Sequence, residues 1–238
     1  MAYDYLGLVN DVNRRLNEVE LTSANFATAN GEYSMIKDAV NASIRFINQH
    51  EFEWPYNHVT EEETLTVGIV RYAFPSDAKI LNMNSFRIKR NDTLGNETRK
   101  LNVLSYEEYL DSYADVEYNT STSLRQLPTY VFKAPSSEFG IVNPPDKAYE
   151  LVYEYYRLPV DLINATDVPS VPEQFRYVIV NGAMHFAYLF RGESQESAMM
   201  QARFEQEIKQ MRSLYINRYE YIRSTVLNTT VTTSTRVS

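Results

Sequence analysis

The sequence predicts an α+β protein in which helices near both ends of the chain form a bundle and enclose an antiparallel β-rich insertion. Apolar residues are spaced by three and four at both ends, as on one face of a helix. Between these ends the apolar period changes to two, as in half-buried strands. The 238 residues are 44% hydrophobic, which is enough to close a core without metals or disulfides. The predicted domains are 1–55 with 170–223 (bundle), 56–169 (insertion) and 224–238 (extended arm).

Two helices are predicted at the start of the chain. Tyr5, Val12 and Val19 belong to the apolar stripe of the first helix. A second helix is predicted from residue 31 to about residue 52. It must end before Pro55, because proline disfavours helical geometry in the residue that precedes it.

Strands are predicted in the middle of the chain from alternating apolar residues. Leu65 and Val67 form the first such pair, and Gly68 indicates a bulge or turn directly after it. The clearest alternation extends over residues 149–155. Asn and Gly residues within 91–96 predict a hairpin-like connection, since these residues tolerate the positive φ angles of tight turns.

Two patterns resemble capping boxes, in which a Ser side chain and a Glu side chain cap the first turn of a helix reciprocally. Ser105 with Glu108 predicts a short helix over 105–114. Ser170 with Glu173 predicts the start of a long helix. Two long helices in this last third of the chain, joined by a short turn, must lie antiparallel.

Two glycines have a predicted role in these long helices. Gly182 lies in the middle of the first helix, where a missing side chain permits close packing. Gly192 is expected to end that helix. Phe204 and Met211 belong to the apolar face of the second helix.

Composition excludes several functional classes. The net charge of −8 excludes a broadly basic nucleic-acid binder, and the absence of Cys excludes thiolate nucleophiles and Cys-based zinc sites. Glycines are too few and too scattered for a phosphate-binding loop. His50, His58 and His185 match no metal-binding spacing. We therefore predict no catalytic residue, no cofactor and no metal, and the lack of a long apolar run predicts no membrane partner.

Several short strings follow one another in a fixed order between Ile44 and Tyr215. They include Phe52-Glu53-Trp54-Pro55, Tyr72-Ala73-Phe74-Pro75-Ser76-Asp77, Tyr155-Tyr156-Arg157-Leu158-Pro159 and Val171-Pro172-Glu173-Gln174-Phe175. In this order the strings resemble the head-to-tail adaptors of tailed, mainly short-tailed, bacteriophages, also called tail tubular or tail accessory proteins. Phe74 departs from the family pattern, where Leu is more common. The strings make turns and end strands, so they identify a fold and carry no chemistry.

The resemblance implies a structural virion protein without enzymatic activity. Its members form a homo-oligomeric ring, commonly a dodecamer, that is assembled in the host cytoplasm and lies at the portal–tail junction. The implied partners are the portal protein on one side and the tail nozzle or tube protein on the other. DNA passes through the centre without specific binding, and an acidic lumen would repel its phosphates.

The resemblance also suggests which residues meet the partners. The C-terminal arm is predicted to dock on the portal, through Thr225, Val226, Leu227, Val231, Arg236 and Val237. Two loops are predicted to face the nozzle, through Asn91, Asp92, Asn96, Thr120, Ser121 and Arg125. The terminal helices are expected to form the contacts between subunits.

Two alternatives remain at this stage. The first is a tail-associated cell-wall hydrolase that uses a pair of carboxylates about 5–10 Å apart, although no sequence feature selects such a pair. The second is a connector of a sheath-tailed or long-tailed phage that performs the same task with another partner below it.

Overall fold

The computed structural model describes residues 2–50, 53–92, 95–118 and 121–215. These residues fold into two compact units, one within Met1–Glu51 and Val160–Ser238 and the other within Phe52–Pro159. The first unit is helical and the second is rich in strands, so the predicted α+β class is confirmed. The domain limits drawn from the sequence stay a prediction.

The described residues form six α-helices and eight strands. The helices are α1 (Tyr5–Arg15), α2 (Glu32–His50), α3 (Tyr106–Ser112), α4 (Ala114–Tyr118), α5 (Arg176–Arg191) and α6 (Ser194–Tyr215). The strands are β1 (His58–Thr64), β2 (Arg71–Ala73), β3 (Ala78–Asp92), β4 (Gly95–Lys100), β5 (Asn102–Leu104), β6 (Tyr130–Ala134), β7 (Glu138–Val142) and β8 (Glu150–Arg157).

Helix α1 is shorter than its apolar stripe predicts. The Asp4 side chain caps its start by accepting a hydrogen bond from the Gly7 amide at 2.8 Å. The helix ends at Arg15, and Asn17 follows with a left-handed φ of 59°. Since this turn takes the chain out of the helix, Val19 is 74% exposed and its predicted place on the buried stripe is wrong.

Helix α5 begins without the predicted capping box. Pro172 has extended dihedral angles (φ −62°, ψ 145°) and precedes a short 3-10 turn, so the α-helix starts only at Arg176. Neither Pro172 nor Phe175 makes a side-chain cap hydrogen bond. The prediction that Ser170 and Glu173 cap this helix is therefore wrong.

Both predicted glycine roles in the last two helices are confirmed. A Cβ atom at Gly182 would lie 2.2 Å from Ser43 Oγ and 2.5 Å from Phe204 Cζ, which shows how closely α5 approaches α2 and α6. Gly192 ends α5 in the left-handed conformation, with φ 79°. Helices α1 and α2 pack on α5 as well, which completes the bundle.

The strands form two four-stranded sheets, with strand orders β1-β8-β3-β4 and β2-β7-β6-β5. All paired strands are antiparallel except β5 and β6, which are parallel. One apolar cluster joins residues of both sheets, so the sheets pack face to face. Its centre holds Phe86 and Tyr153 from the first sheet and Tyr72 and Phe139 from the second.

Helix α3 covers the outer face of the second sheet. Tyr109 stacks on Phe132 of β6 with ring centroids 3.8 Å apart. The capping box of Ser105 and Glu108 at the start of α3 is confirmed. Helix α4, which follows directly, is not predicted by the sequence as a separate element.

The first strand lies earlier in the chain than the sequence predicts. It spans His58–Thr64, whereas Leu65 follows it as a buried residue and Val67 is exposed. Strand β1 is an edge of its sheet and exposes alternate side chains, including Glu62. Because it contains few apolar residues, it lacks the apolar alternation on which the prediction depended. Gly68 lies in a turn with φ 77°, as predicted.

Candidate interaction surfaces

Three of the residues predicted to face the nozzle lie on one β-hairpin. Asn91 and Asp92 end β3, and Asn96 lies near the start of β4. The register pairs Asn91 with Asn96 and Asp92 with Gly95, which confirms the predicted hairpin connection. The structure therefore brings these three residues together at the end of one two-stranded ladder.

The other predicted loop residues lie elsewhere in the β-rich unit. Ser121 precedes a 3-10 turn over Thr122–Leu124 and is exposed, and its hydroxyl lies 2.7 Å from that of Ser123. Arg125 is half-buried over the turn at Gly68, where an added Cβ would lie 3.2 Å from the guanidinium carbon. Arg125 thus packs against its own unit. Thr120 lies outside the described residues.

The arm residues predicted to bind the portal also lie outside the described residues. They are Thr225, Val226, Leu227, Val231, Arg236 and Val237. The last described residue, Tyr215, is anchored at the start of α5: its hydroxyl accepts a hydrogen bond from Gln174 at 3.1 Å, and its ring lies 5.4 Å from that of Phe175.

A buried polar chain connects three helices of the bundle. Asn181 of α5 is fully buried and donates to both carboxylate oxygens of Glu207 on α6, at 2.8 Å each. Arg15 of α1 donates to the side-chain oxygen of Asn181 at 2.5 Å. Arg203 donates to Glu207 from the surface side at 3.0 Å. Each of these polar groups has a hydrogen-bond partner, so the hydrogen-bonded side chains fix the relative positions of the three helices.

His185 and Ser197 form the one Ser–His contact that resembles a catalytic pair among the described residues. The Ser197 hydroxyl lies 3.0 Å from His185 Nδ1, and the Ser197 carbonyl lies 2.9 Å from the same nitrogen. Ser197 is only 3% exposed, so a substrate cannot reach its oxygen. The pair therefore ties α5 to α6 and is unsuited to nucleophilic catalysis.

The described side chains include no cluster of three or more His, Asp or Glu residues that could hold a metal ion. None of the helices α1 to α6 combines the length and apolarity needed to cross a membrane.

The segment that leads into the last two helices forms a rigid surface loop, here called the 160–168 loop. Asn41 of α2 donates to the Leu162 carbonyl and accepts from the Leu162 amide, at 3.0 Å each, in a buried setting. Arg45 of α2 pairs with both oxygens of Asp161, one of them at 2.7 Å. Leu162 is buried and anchors the loop from below.

Asp167 closes the same loop from the other end. One carboxylate oxygen accepts from the Ile163 and Asn164 amides at 2.8 Å each, and these hydrogen bonds lower the pKa of Asp167. The Asp167 carbonyl accepts from the Tyr5 amide at the start of α1, also at 2.8 Å. The pKa of Asp161 is likewise lowered, mainly by its hydrogen bonds from Arg45.

This loop and the buried amides that hold it are not predicted from the sequence. The apolar residues of the loop have no helical or alternating period, so they give no signal of regular structure. One signal was available: Val160, Ile163 and Val168 are large aliphatic residues in a segment otherwise typical of a loop.

The described side-chain clusters join helix to helix, strand to strand and, at Tyr109 and Phe132, helix to strand, so each of them holds the fold together. A family model described as SU10 adaptor protein matches residues 3–230. The chain belongs to this family, and it is a structural adaptor protein of phages, as the sequence resemblance indicated. A phage adaptor is a component of the virion. A comparison with curated proteins found no match.

Proposed function

We propose that the protein forms a ring, commonly a dodecamer among similar adaptors, that joins the portal protein to the tail nozzle or tube protein. The observation that carries this proposal is the family match over residues 3–230, which includes both the bundle and the β-rich unit. In this proposal the protein acts by its shape and performs no catalytic step. The free energy that stabilises the assembly comes from the surface that each copy buries against its neighbours and partners.

The C-terminal arm is the proposed portal-binding element. Residues 224–238 are rich in Thr and Val and contain no acidic residue. Such a segment has high β-propensity and suits addition to a partner's sheet or binding in a groove. The arm follows α6, whose end is anchored to Gln174 and Phe175. The described part of the bundle therefore ends at a fixed point, Tyr215, ahead of the arm in the sequence.

The β-rich unit is the proposed nozzle-facing part. The hairpin end at Asn91, Asp92 and Asn96 supplies one contact, and the exposed Ser121 supplies another. The net charge of −8 supports passage of DNA through the ring, because an acidic surface does not retain the phosphate backbone.

Deletion of residues 225–238 tests the proposal. Purified portal rings are mixed with the full chain, with the deletion, or with a variant in which these residues are replaced by a Gly-Ser segment of equal length. We expect the full chain to co-sediment with the portal at near parity, and both altered chains to stay free while retaining the circular dichroism of the full chain. Undiminished binding of the altered chains would refute the role of the arm in portal binding. Failure of the full chain to bind would refute the proposal that the protein joins the portal at all.

A further inference from the structure

We propose that the sheet β1-β8-β3-β4 of each copy continues into the next copy of the ring, with the β4 edge of one copy paired to the β1 edge of its neighbour. This inference rests on the proposed ring and names a contact through the β-rich unit. It adds to the contact that the resemblance implies for the terminal helices. Two observations carry it, which are the direction of the strands and the distribution of charge across the sheet.

The two edge strands of this sheet are open to a further strand. Within the described part of the chain, β1 pairs with β8 alone and β4 pairs with β3 alone. The outer side of an edge strand presents backbone N–H and C=O groups that another strand can bond. The two edges are similar in length, with seven residues in β1 and six in β4. One edge can therefore pair with the other over most of its length.

The direction of the strands makes the two edges compatible. All three pairings within this sheet are antiparallel, so the direction alternates from β1 through β8 and β3 to β4. Over four strands this alternation leaves β1 and β4 antiparallel to each other. Copies in a cyclic ring all have the same orientation relative to its axis. A neighbouring copy therefore places its β1 antiparallel beside β4, and the alternation continues across the contact.

The second sheet lacks these properties. The parallel pairing of β5 with β6 leaves its edge strands, β2 and β5, running in the same direction. These edge strands have three residues each. The formal charges along the order β2-β7-β6-β5 are +1, −1, +1 and 0, so neither sign is confined to one half. The first sheet is thus the better candidate for continuation between copies.

Charge is divided between the two halves of the first sheet. Strand β1 has three carboxylates and no Lys or Arg, and β8 has two carboxylates and one cation, which gives −4 for this half with His58 neutral. Strand β3 has four cations and one carboxylate, and β4 has two cations and one carboxylate, which gives +4. The intramolecular ion pair between Lys89 and Glu62 is included, with one charge in each half.

On the outer face of the sheet, the two edges have charges of opposite sign. The register connects Glu62 of β1 through Val152 and Arg87 to Lys100 of β4, so Glu62 and Lys100 are on the same face. Both side chains are exposed. In a sheet that continues from copy to copy, Lys100 of one copy can therefore meet Glu62 of the next.

On the inner face, the edges are opposite in charge as well. The register connects Glu63 through Leu151 and Ile88 to the exposed Arg99 of β4. Burial and, to a smaller extent, the Glu61 carboxylate raise the pKa of Glu63, which shows that the two carboxylates are close enough to repel each other. Arg99 from the neighbouring copy would reduce this repulsion.

The opposite charges at the two ends of one sheet identify the occupant of each edge as a second copy. Two β1 edges placed side by side would oppose carboxylates, and two β4 edges would oppose cations, and both arrangements are unfavourable. The contact between β4 and β1 joins charges of opposite sign. Because each copy has one edge of each kind, the contact repeats around an axis and can close.

Chemical cross-linking tests this contact, and the natural chain contains no Cys to interfere. In the double variant Thr60→Cys with Thr98→Cys, both thiols replace exposed side chains. Within one copy the two strands are three strand spacings apart, or about 14 Å, so a shorter bis-maleimide reagent cannot join them. We expect a ladder of covalent multimers on a denaturing gel when the full-length variant is bound to portal rings.

The two single variants are the matched controls for this experiment. Thr60→Cys alone can be cross-linked only if two β1 edges meet, and Thr98→Cys alone only if two β4 edges meet. Each should give less than about one tenth of the product of the double variant, because like charges keep these edges apart. A dimer band from a single variant as strong as the ladder would overturn the head-to-tail order.

Charge reversal measures the contact without a cross-linker. Glu62→Lys and Lys100→Glu should each weaken ring assembly on the portal about fivefold or more, because each opposes like charges across the contact. The two changes in one chain should restore assembly to within about twofold, since opposite charges meet again. The matched controls are Glu107→Lys and Lys133→Glu, at exposed positions of the same unit outside this sheet, and they should assemble normally. Circular dichroism verifies that each variant is folded.

The outcomes separate this inference from the proposed function. If electron microscopy shows rings of the natural chain on the portal, and the double Cys variant gives no ladder beyond its controls, the inference is overturned while the proposed function stands. Equal assembly of the reversal variants and their controls would also overturn it. If the full natural chain forms no ring on the portal, the proposed function fails and the inference fails with it.

Discussion

The two units of the protein keep their elements in place by different means. Buried polar side chains are concentrated in the helical unit, where they are Asn10, Asn13, Asn41, Ser43, Asn48, Asn181, Ser197 and Glu207. In the described part of the β-rich unit, Asn57 is the one buried polar residue of this kind. That unit is filled instead by aromatic rings, among which Phe86, Phe139 and Tyr153 lie 4.8 to 5.4 Å apart.

The difference follows from where the backbone hydrogen bonds go. Strands bond to their neighbours, so the ladder itself sets their register and the core needs only to be filled. Helices satisfy their backbone internally, and apolar packing alone leaves their relative positions weakly specified. In this bundle, side-chain amides such as Asn41 and Asn181 fix the relative positions of the elements, since each amide forms hydrogen bonds with another segment of the chain.

The largest effect is expected from an aromatic residue of the β-rich unit. Phe86 is fully buried and stacks on Tyr153 at 4.8 Å. Phe86→Ala should lower the free energy of unfolding by about 3–5 kcal/mol, because the ring is lost and a cavity remains. Urea unfolding followed by circular dichroism measures it. Phe190→Ala, at a 46% exposed position, is the control and should change stability by less than about 1 kcal/mol. Equal losses of stability in the two variants would contradict the claim that aromatic packing stabilises this core.

A smaller effect is expected from a buried amide of the helical unit. Asn181→Leu removes the donor to Glu207 and leaves a nearly buried carboxylate short of partners. We expect a loss of about 2–3 kcal/mol in urea unfolding. The double variant Asn181→Leu with Glu207→Leu should lose less than the sum of the single changes, since both polar partners are then gone. Additive losses would show that the two side chains are not coupled.

The smallest effects concern pH, and the two units should respond with opposite sign. The pKa values of Asp161 and Asp167 are lowered in the folded protein, so their stabilisation is present above pH 3.8 and is lost as the pH falls through their folded pKa values. The pKa of Glu63 in β1 is raised by burial, partly offset by the hydrogen bond from Tyr153. Its folded state therefore binds more protons than the unfolded state, and stability falls as the pH rises from 4.5 through the folded pKa.

Urea midpoints measured from pH 3 to 7 distinguish these contributions. At pH 7, the Asp167→Asn variant should be less stable than the natural chain, and the Glu63→Gln variant should be more stable. Towards pH 3, the stability of each variant should approach that of the natural chain. The same direction of change in both variants would contradict the assigned shifts.

Much of the helical unit could be predicted from the sequence because its signals are local. The apolar stripe indicated α2, Gly192 indicated the end of α5, and Gly182 indicated close packing. The predicted cap at Ser170 was wrong because Pro172 stays extended, which a four-residue pattern does not reveal. Val19 was misplaced because the left-handed turn at Asn17 has no strong sequence signal.

The candidate interaction surfaces were harder to predict, since they depend on segments that are distant in sequence. The hairpin at Asn91 and Asn96 was found because its turn residues are adjacent to its strands. The 160–168 loop was not found, because its shape depends on Asn41 and Arg45 of a helix more than one hundred residues earlier. Arg125, which is predicted to face a partner, also lies over Gly68, a contact that only the folded chain shows.

Electron microscopy of purified phage particles is the most direct test that the protein is a ring-forming adaptor. A reconstruction around the unique vertex, compared with particles that lack this protein, locates its density. We predict a closed ring between the portal and the tail, in which the helical unit of each copy lies against the next. Particles that are complete without the protein, or that carry it away from that vertex, would contradict the account.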